Sequence, residues 1–286
     1  MKNKILIQIT LGLIGIFLYN ACDYISPPYT QGTHSGPDTS IVMRKILIED
    51  YTGHTCPNCP RAAEMLDTLI SIYGSQIVPI ALHVSDYARP EIHPDSSYNK
   101  DYRTVTGTDW DNEFQVSLVG LPHGLVSRLD HGTSSFIKSY SEWSTASASI
   151  ASLAADVKLT IQNSYNTSTR VITSTVNSEF VNSLTGTYML TIVLTEDSII
   201  DWQKDGITSP PTNLQFFVHK HMLRGSLNGS WGDTVATGDI AKGALWTRPY
   251  TYTLPTNFND THCKIVAFIY NSATYEVIQA EFKGIR

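Results

Sequence analysis

Two cysteines separated by two residues stand in Tyr51-Thr-Gly-His-Thr-Cys56-Pro-Asn-Cys59-Pro60, just after the apolar run Ile46-Leu47-Ile48 and the acidic pair Glu49-Asp50. A stretch with helical periodicity follows at once: Ala62, Met65, Leu66, Leu69, Ile70 and Tyr73 recur at spacings of three and four, and Gly74 stands where a C-terminal cap belongs. This order constrains the fold more than any other part of the chain. It predicts a strand, a tight loop and a helix whose first turn carries both sulfurs. Sulfurs so spaced can close a small disulfide. Unpaired N–H groups and the helix dipole favour thiolate over thiol there, most of all at Cys56, the nearer to the helix start and the more exposed of the two. Pro57 suits a first helical turn because it has no N–H to leave unpaired, whereas Pro60 loosens the first hydrogen bond of the helix. A CxxC between a strand and a helix points to reversible thiol–disulfide chemistry.

Beyond the helix, Ile77 to Val84 is almost continuously apolar, as in a strand buried on both faces. Pro79 inside it cannot donate to a ladder, which predicts a sheet edge. Residues 86–117 are polar and tyrosine-rich and read as an insertion with at most some helix. Val116 to Gly120 leads into Leu121-Pro122 and a strand over Gly124 to Arg128; Asp130-His131-Gly132 turns the chain, and Phe136 to Ala155 reads as an Ala/Ser-rich helix. After Asp156 the helical signals stop. Val157–Ile161, Arg170–Phe180, Tyr188–Thr195, Leu214–Val218, Tyr250–Leu254, Lys264–Tyr270 and Val277–Phe282 read as strands between Asn, Ser, Thr, Gly and Pro clusters, the pattern of a β-sandwich. The expected fold class is therefore an α/β domain over 44–155 followed by an all-β sandwich over 156–286.

Residues 1–21 read as a signal peptide, with Lys2 and Lys4 before an apolar stretch too short to span a bilayer comfortably. Small Ala21 before Cys22 resembles a bacterial lipobox, although Tyr19 stands where an aliphatic residue is usual; an ordinary signal peptide with an incidental Cys22 is the alternative. Cleavage there leaves Cys22 lipidated, the membrane contact of the mature chain. Residues 22–43, rich in Pro, Ser, Thr and Gly through Ser40, read as a flexible tether. Removing 1–21 takes two of the 20 basic residues and none of the 26 acidic ones, so the net charge moves from −6 to −8. That argues against nucleic acid or anionic lipid as a partner. Of four cysteines, one is assigned to lipid, two to the CxxC, and Cys263 opens an apolar strand as a small buried hydrophobe.

Strand–CxxC–helix, an acid before the motif and Leu121-Pro122 at a later strand start together resemble the thioredoxin fold. That resemblance implies a cis bond before Pro122, with the proline facing the disulfide and docking substrate. It also implies that Asp50, six residues before Cys56, relays a proton to Cys59. The chain departs from it at Thr55, where an aromatic residue is usual, and in having no lysine over 77–84 to partner Asp50; His83 is the substitute there. A narrower likeness is carried by Ile48-Glu-Asp-Tyr-Thr-Gly-His-Thr-Cys-Pro-Asn-Cys-Pro60, by Ala81-Leu-His83 and by His221-Met-Leu-Arg-Gly-Ser-Leu-Asn-Gly-Ser-Trp-Gly232. These segments resemble the outer-membrane-protein-28-related lipoprotein family, which implies an envelope lipoprotein with a thioredoxin-like and a β-rich domain. Asp23 after Cys22 resembles an inner-membrane retention signal, whereas the family points to the outer membrane.

The exchange reading makes Cys56 the nucleophile, Cys59 the resolving thiol, Pro122 the docking residue and Asp50 the relay, acting on envelope proteins without a cofactor. A binding or adhesion lipoprotein, its Cys56–Cys59 disulfide only a staple and its sandwich contacting a surface partner, is the rival from another class. Metal held by Cys56, Cys59 and His54 or His83 is a third, with too few ligands at familiar spacing. Glu91, His93 and Asp95 in the insertion, and His219 with His221, read as solvated polar faces before metal sites. Trp231 reads as a loop anchor on the sandwich before a stacking platform.

Overall fold

The computed structural model describes residues 41–95, 97–207 and 212–286; the signal peptide, Cys22 and the tether up to Ser40 lie outside the described residues. The chain runs β1 (Ile46–Thr52), α1 (Cys59–Tyr73), β2 (Ile77–His83), α2 (Val105–Phe114), α3 (Val116–Val119), β3 (His123–Val126), β4 (Ile137–Ser139) and α4 (Trp143–Ala151). Strands then follow one another: β5 (Val157–Asn166), β6 (Val171–Phe180), β7 (Leu184–Thr185), β8 (Tyr188–Glu196), β9 (Ile199–Asp205), β10 (Thr212–His219), β11 (Met222–Ser226), β12 (Asp233–Ala236), β13 (Asp239–Ile240), β14 (Leu245–Thr253), β15 (Cys263–Asn271) and β16 (Val277–Gly284). Gly74 caps α1 with φ +56°, a conformation that glycine adopts without a side-chain clash.

One nine-stranded sheet joins both halves of the chain, in the order β16-β15-β8-β11-β2-β1-β3-β4 with β12 also on β8. β1 pairs parallel with β2 and antiparallel with β3, so it lies inside the sheet and is buried at every position. β2 is not an edge strand, because β11 pairs with it through Met222 and Ala81. Pro79 is tolerated because that contact is local. The Ala81 N–H donates to His221 O at 2.8 Å, and the N of Pro79, two residues earlier, points to the same side before β11 begins. The predicted helix over 136–155 also divides. Residues 137–139 pair with β3, and the Ser139–Glu142 capping box then starts a short turn of 3-10 helix that leads into α4.

Alternation along β8 and β15 explains the layering. Leu190, Ile192, Leu194, Ile265, Ala267 and Ile269 face the three-stranded sheet β14-β6-β5 and form a core with Val157, Ile172, Val176 and Phe180. Val193, Val266, Phe268 and Tyr270 point the other way, into a second core with Leu47, Val78, Ile80, Leu82, Trp110 and Phe114. The opposite face of β1 packs against α1 and α4 through Ile46, Ile48, Leu66, Leu69, Trp143 and Ile150. Inside the second core, Arg128 donates to Glu49 at 2.7 and 2.9 Å, with neither side chain exposed. Its guanidinium lies 4.9 Å from the ring centres of Trp110, Phe114 and Phe268. Trp231 is an anchor, but on this second core and not on the sandwich core, where it contacts Phe114 and Tyr275.

Candidate functional site: a covered disulfide

β1 ends at Thr52, and the loop 53–58 carries the chain back into α1. Cys56 and Cys59 are disulfide-bonded with Cα atoms 5.5 Å apart, Cys59 being the first residue of the helix. The Leu121–Pro122 peptide is cis. His123 pairs with Tyr51, so Pro122 stands one step further, at the end of β1 from which the CxxC loop departs. Asp50 and Cys59 line one cavity. Asp50 is buried and its Oδ1 has no hydrogen-bond partner; burial raises its pKa to about 7. His83 lines the same cavity, but it is no partner for Asp50: neither ring nitrogen is hydrogen-bonded. Burial, reinforced by His219 and His54, holds the His83 pKa well below the usual histidine range.

Sequence reasoning missed what lies over the loop. β9 runs across it. The Lys204 N–H donates to His54 O at 2.8 Å, and the Gly206 N–H donates to Pro57 O at 2.7 Å. The Gln203 amide reaches Cys56 O at 2.9 Å and Gly53 O at 3.3 Å. Cys56 is in consequence 1% exposed and Cys59 2% exposed, so Cys56 is not the open sulfur that its position in the motif suggests. β10 pairs with β9 antiparallel, and the tyrosine-rich insertion clamps the hairpin. Tyr98 donates to Asn213 at 2.8 Å, and Tyr102 donates to Asp201. His54, His83, His219, Tyr98 and Tyr102 form a continuous set of ring contacts between insertion, loop and hairpin.

The other candidates separate. His219 is buried against His83, and burial lowers its pKa to about 4, while His221 pairs with Asp197 at 2.8 Å. His93 contacts Glu91 at 2.8 Å in the insertion. Among the described residues no group of three His, Cys, Asp or Glu side chains is arranged to hold a metal ion. Cys263 is a free, buried thiol in the first core, its pKa pushed up to about 12 chiefly by burial.

A family model described as outer membrane protein Omp28 matches residues 109–285, which takes in Pro122 but neither cysteine of the disulfide. No curated protein matches the chain. Among solved structures, HBP35 of Porphyromonas gingivalis superposes with a TM-score of 0.59 at 15% identity, covering 85% of this chain and 76% of that one. A structural-genomics target from Agrobacterium tumefaciens gives 0.50 at 12%, covering 86% of this chain and 97% of its own. At those identities the two likenesses speak for the fold alone. A domain of the outer membrane lipoprotein Omp28 from Porphyromonas gingivalis is 23% identical over 46% of this chain and 89% of that domain, with a TM-score of 0.31.

Proposed function

This chain belongs to the outer membrane protein Omp28 family, a cell-envelope lipoprotein of the outer membrane, and from that premise we propose that it is a thiol–disulfide oxidoreductase acting in the envelope. The observation that carries the reading is the cavity whose wall Cys59 shares with Asp50 and His83. A staple between two backbone segments has no use for unpartnered titratable groups. Proton transfer during exchange does, and buried groups with displaced pKa values gather at reactive sites. An incoming thiolate attacks one sulfur, the electron pair leaves on the other, and a buried acid titrating near neutrality serves both protonation states. Three features support the reading: a disulfide at the start of a helix, an acid on β1, and a cis proline just before β3, which pairs with β1. In this reading Asp50 exchanges protons with the Cys56–Cys59 pair and Pro122 borders the place where substrate docks.

A second reading keeps the localisation and removes the chemistry: a surface-binding lipoprotein whose Cys56–Cys59 disulfide is structural. The cover supplied by β9 favours it, since both sulfurs are almost wholly buried. The reduction potential separates the two. Equilibration in defined thiol/disulfide buffers, with free thiols counted by alkylation, is expected to give a value between about −120 and −270 mV. A value below about −300 mV identifies a structural disulfide and overturns the redox reading.

A further inference from the structure

β9 and the cavity divide the two sulfurs between different environments. Gln203, Lys204 and Gly206 hold β9 onto the carbonyls of Cys56, His54 and Pro57. Cys56 has no share in the cavity, whereas Cys59 forms part of its wall. The cavity is a cleft of about 260 Å³ between α1 and β10, floored by Asp50 and His83. That is below the range of about 300–1,000 Å³ usual for drug-sized ligands, so it suits a molecule of a few heavy atoms. Its rim carries both signs of charge. Glu64 and Asp67 lie on α1, and Lys220, just past β10, pairs with Asp67 at 2.7 Å. An ammonium on one small molecule can meet Glu64 while its carboxylate competes with Asp67 for Lys220, between walls that Leu66, Leu214, Phe217 and Val218 make largely apolar. The floor presents two buried side chains with unpartnered polar atoms. Each unmade hydrogen bond there is costly to leave, and a polar ligand relieves it.

We propose that this cleft admits a zwitterionic amino thiol of cysteine's size, which attacks Cys59 and not Cys56. The inference rests on the redox reading and names the reductant. The thiol gives its proton to the Asp50 carboxylate, and its sulfur bonds to Cys59 Sγ. The Cys56–Cys59 bond breaks with its electron pair on Cys56, and that thiolate takes up a proton from solvent. A second thiol loses its proton to solvent and attacks the small-molecule sulfur of the mixed disulfide, releasing Cys59 as a thiolate that takes the proton held by Asp50. Two thiols become one small disulfide, and the protein disulfide becomes a dithiol, so electrons balance with no further oxidant.

The test begins with the oxidised full chain, mixed with excess L-cysteine, quenched in acid and mapped by mass spectrometry. The mixed disulfide is expected on Cys59; finding it on Cys56 overturns the proposal. The single-thiol variants then read access directly. With L-cystine as the probe, Cys56→Ser is expected to take up cysteine about tenfold faster than Cys59→Ser, because rates follow access to the attacked or attacking sulfur. Equal rates, or the reverse order, reject the cleft. Ala63→Trp, on the α1 wall, is expected to slow the Cys56→Ser reaction about tenfold while its thermal midpoint stays in place. An unchanged rate in that variant also counts against the cleft. Failure here and failure of the redox reading are distinguishable. A potential below about −300 mV with Cys59-selective labelling removes the oxidoreductase and keeps the cleft, and a potential in the exchange range with Cys56-selective labelling does the opposite.

Discussion

Asp50 shows how one buried carboxyl links stability to pH. Burial moves its pKa from 3.8 to about 7, with no opposing partner to bring it down. Between those two values the unfolded chain has released the proton while the folded chain still holds it. Stability therefore falls as pH rises through that interval and stays low above it. At about 1.4 kcal/mol per unit, a shift of roughly three units costs about 4 kcal/mol by pH 8. Asp50→Asn removes the titration, so the variant is expected to gain on the parent between about pH 4 and pH 7 by up to that amount. His83, which shares the cavity, acts in the opposite sense, since its neutral form is favoured by burial and stability falls as acid charges it in the unfolded chain. Comparing urea midpoints of the two oxidised proteins at each pH cancels that contribution. A difference that stays flat with pH would show that Asp50 is an ordinary carboxylate.

At the scale of elements, the decisive contact is β9 on the CxxC loop, and Gly206 is where it is tightest. A Cβ there would stand 3.1 Å from both the Cβ and the O of Pro57. Gly206→Val is therefore expected to lift the end of β9 from the loop and speed reduction of the disulfide by dithiothreitol by about tenfold. An unchanged rate would mean that β9 does not control access. This contact was the least legible part of the sequence, for a physical reason. β9 buries Gln203, which donates to loop carbonyls, and Asp205, which accepts from the Ile207 N–H, so its inward face is polar and the segment reads as loop. β11 hides for a different reason. Its register shifts between Leu223 and Gly225, which interrupts the alternation that marks a strand. What could be read was what rests on apolar periodicity. β1, α1 and β2 stand where Ile46–Ile48, the Ala62–Tyr73 stripe and Ile77–Val84 put them, and the disulfide lies between the first two. Asp50 was singled out by its offset from Cys56 in the thioredoxin resemblance, and the structure places it in the same cavity wall as Cys59. The cover over Cys56 has no such local signal, since its donors lie far along the chain.

The whole molecule is organised around a sheet that does not stop between its two halves. β2 and β11 join it edge to edge, and the Lys45 N–H, just before β1, donates to Gln279 in β16 at 2.8 Å. The Glu49–Arg128 pair strengthens this union, because the rings around Arg128 come from α2 on one side and β15 on the other. Taking two charges out of water is expensive, and their attraction offsets that cost only while both are present. Arg128→Met leaves Glu49 buried without its partner, so the loss is expected to reach about 3–5 kcal/mol. Because the cage belongs to both halves, hydrogen-exchange protection should fall by the same amount in β1 and β2 as in β15 and β16. Loss confined to β1 and β2 would show two independently stable units sharing a surface. The double variant Glu49→Leu/Arg128→Met then isolates the charge from the packing. It should recover most of the lost stability, since apolar side chains of similar volume can fill a buried ion-pair site at little cost. If it stays as weak as the single variant, the guanidinium's contact with Trp110, Phe114 and Phe268 holds the halves together, and the carboxylate is the lesser partner.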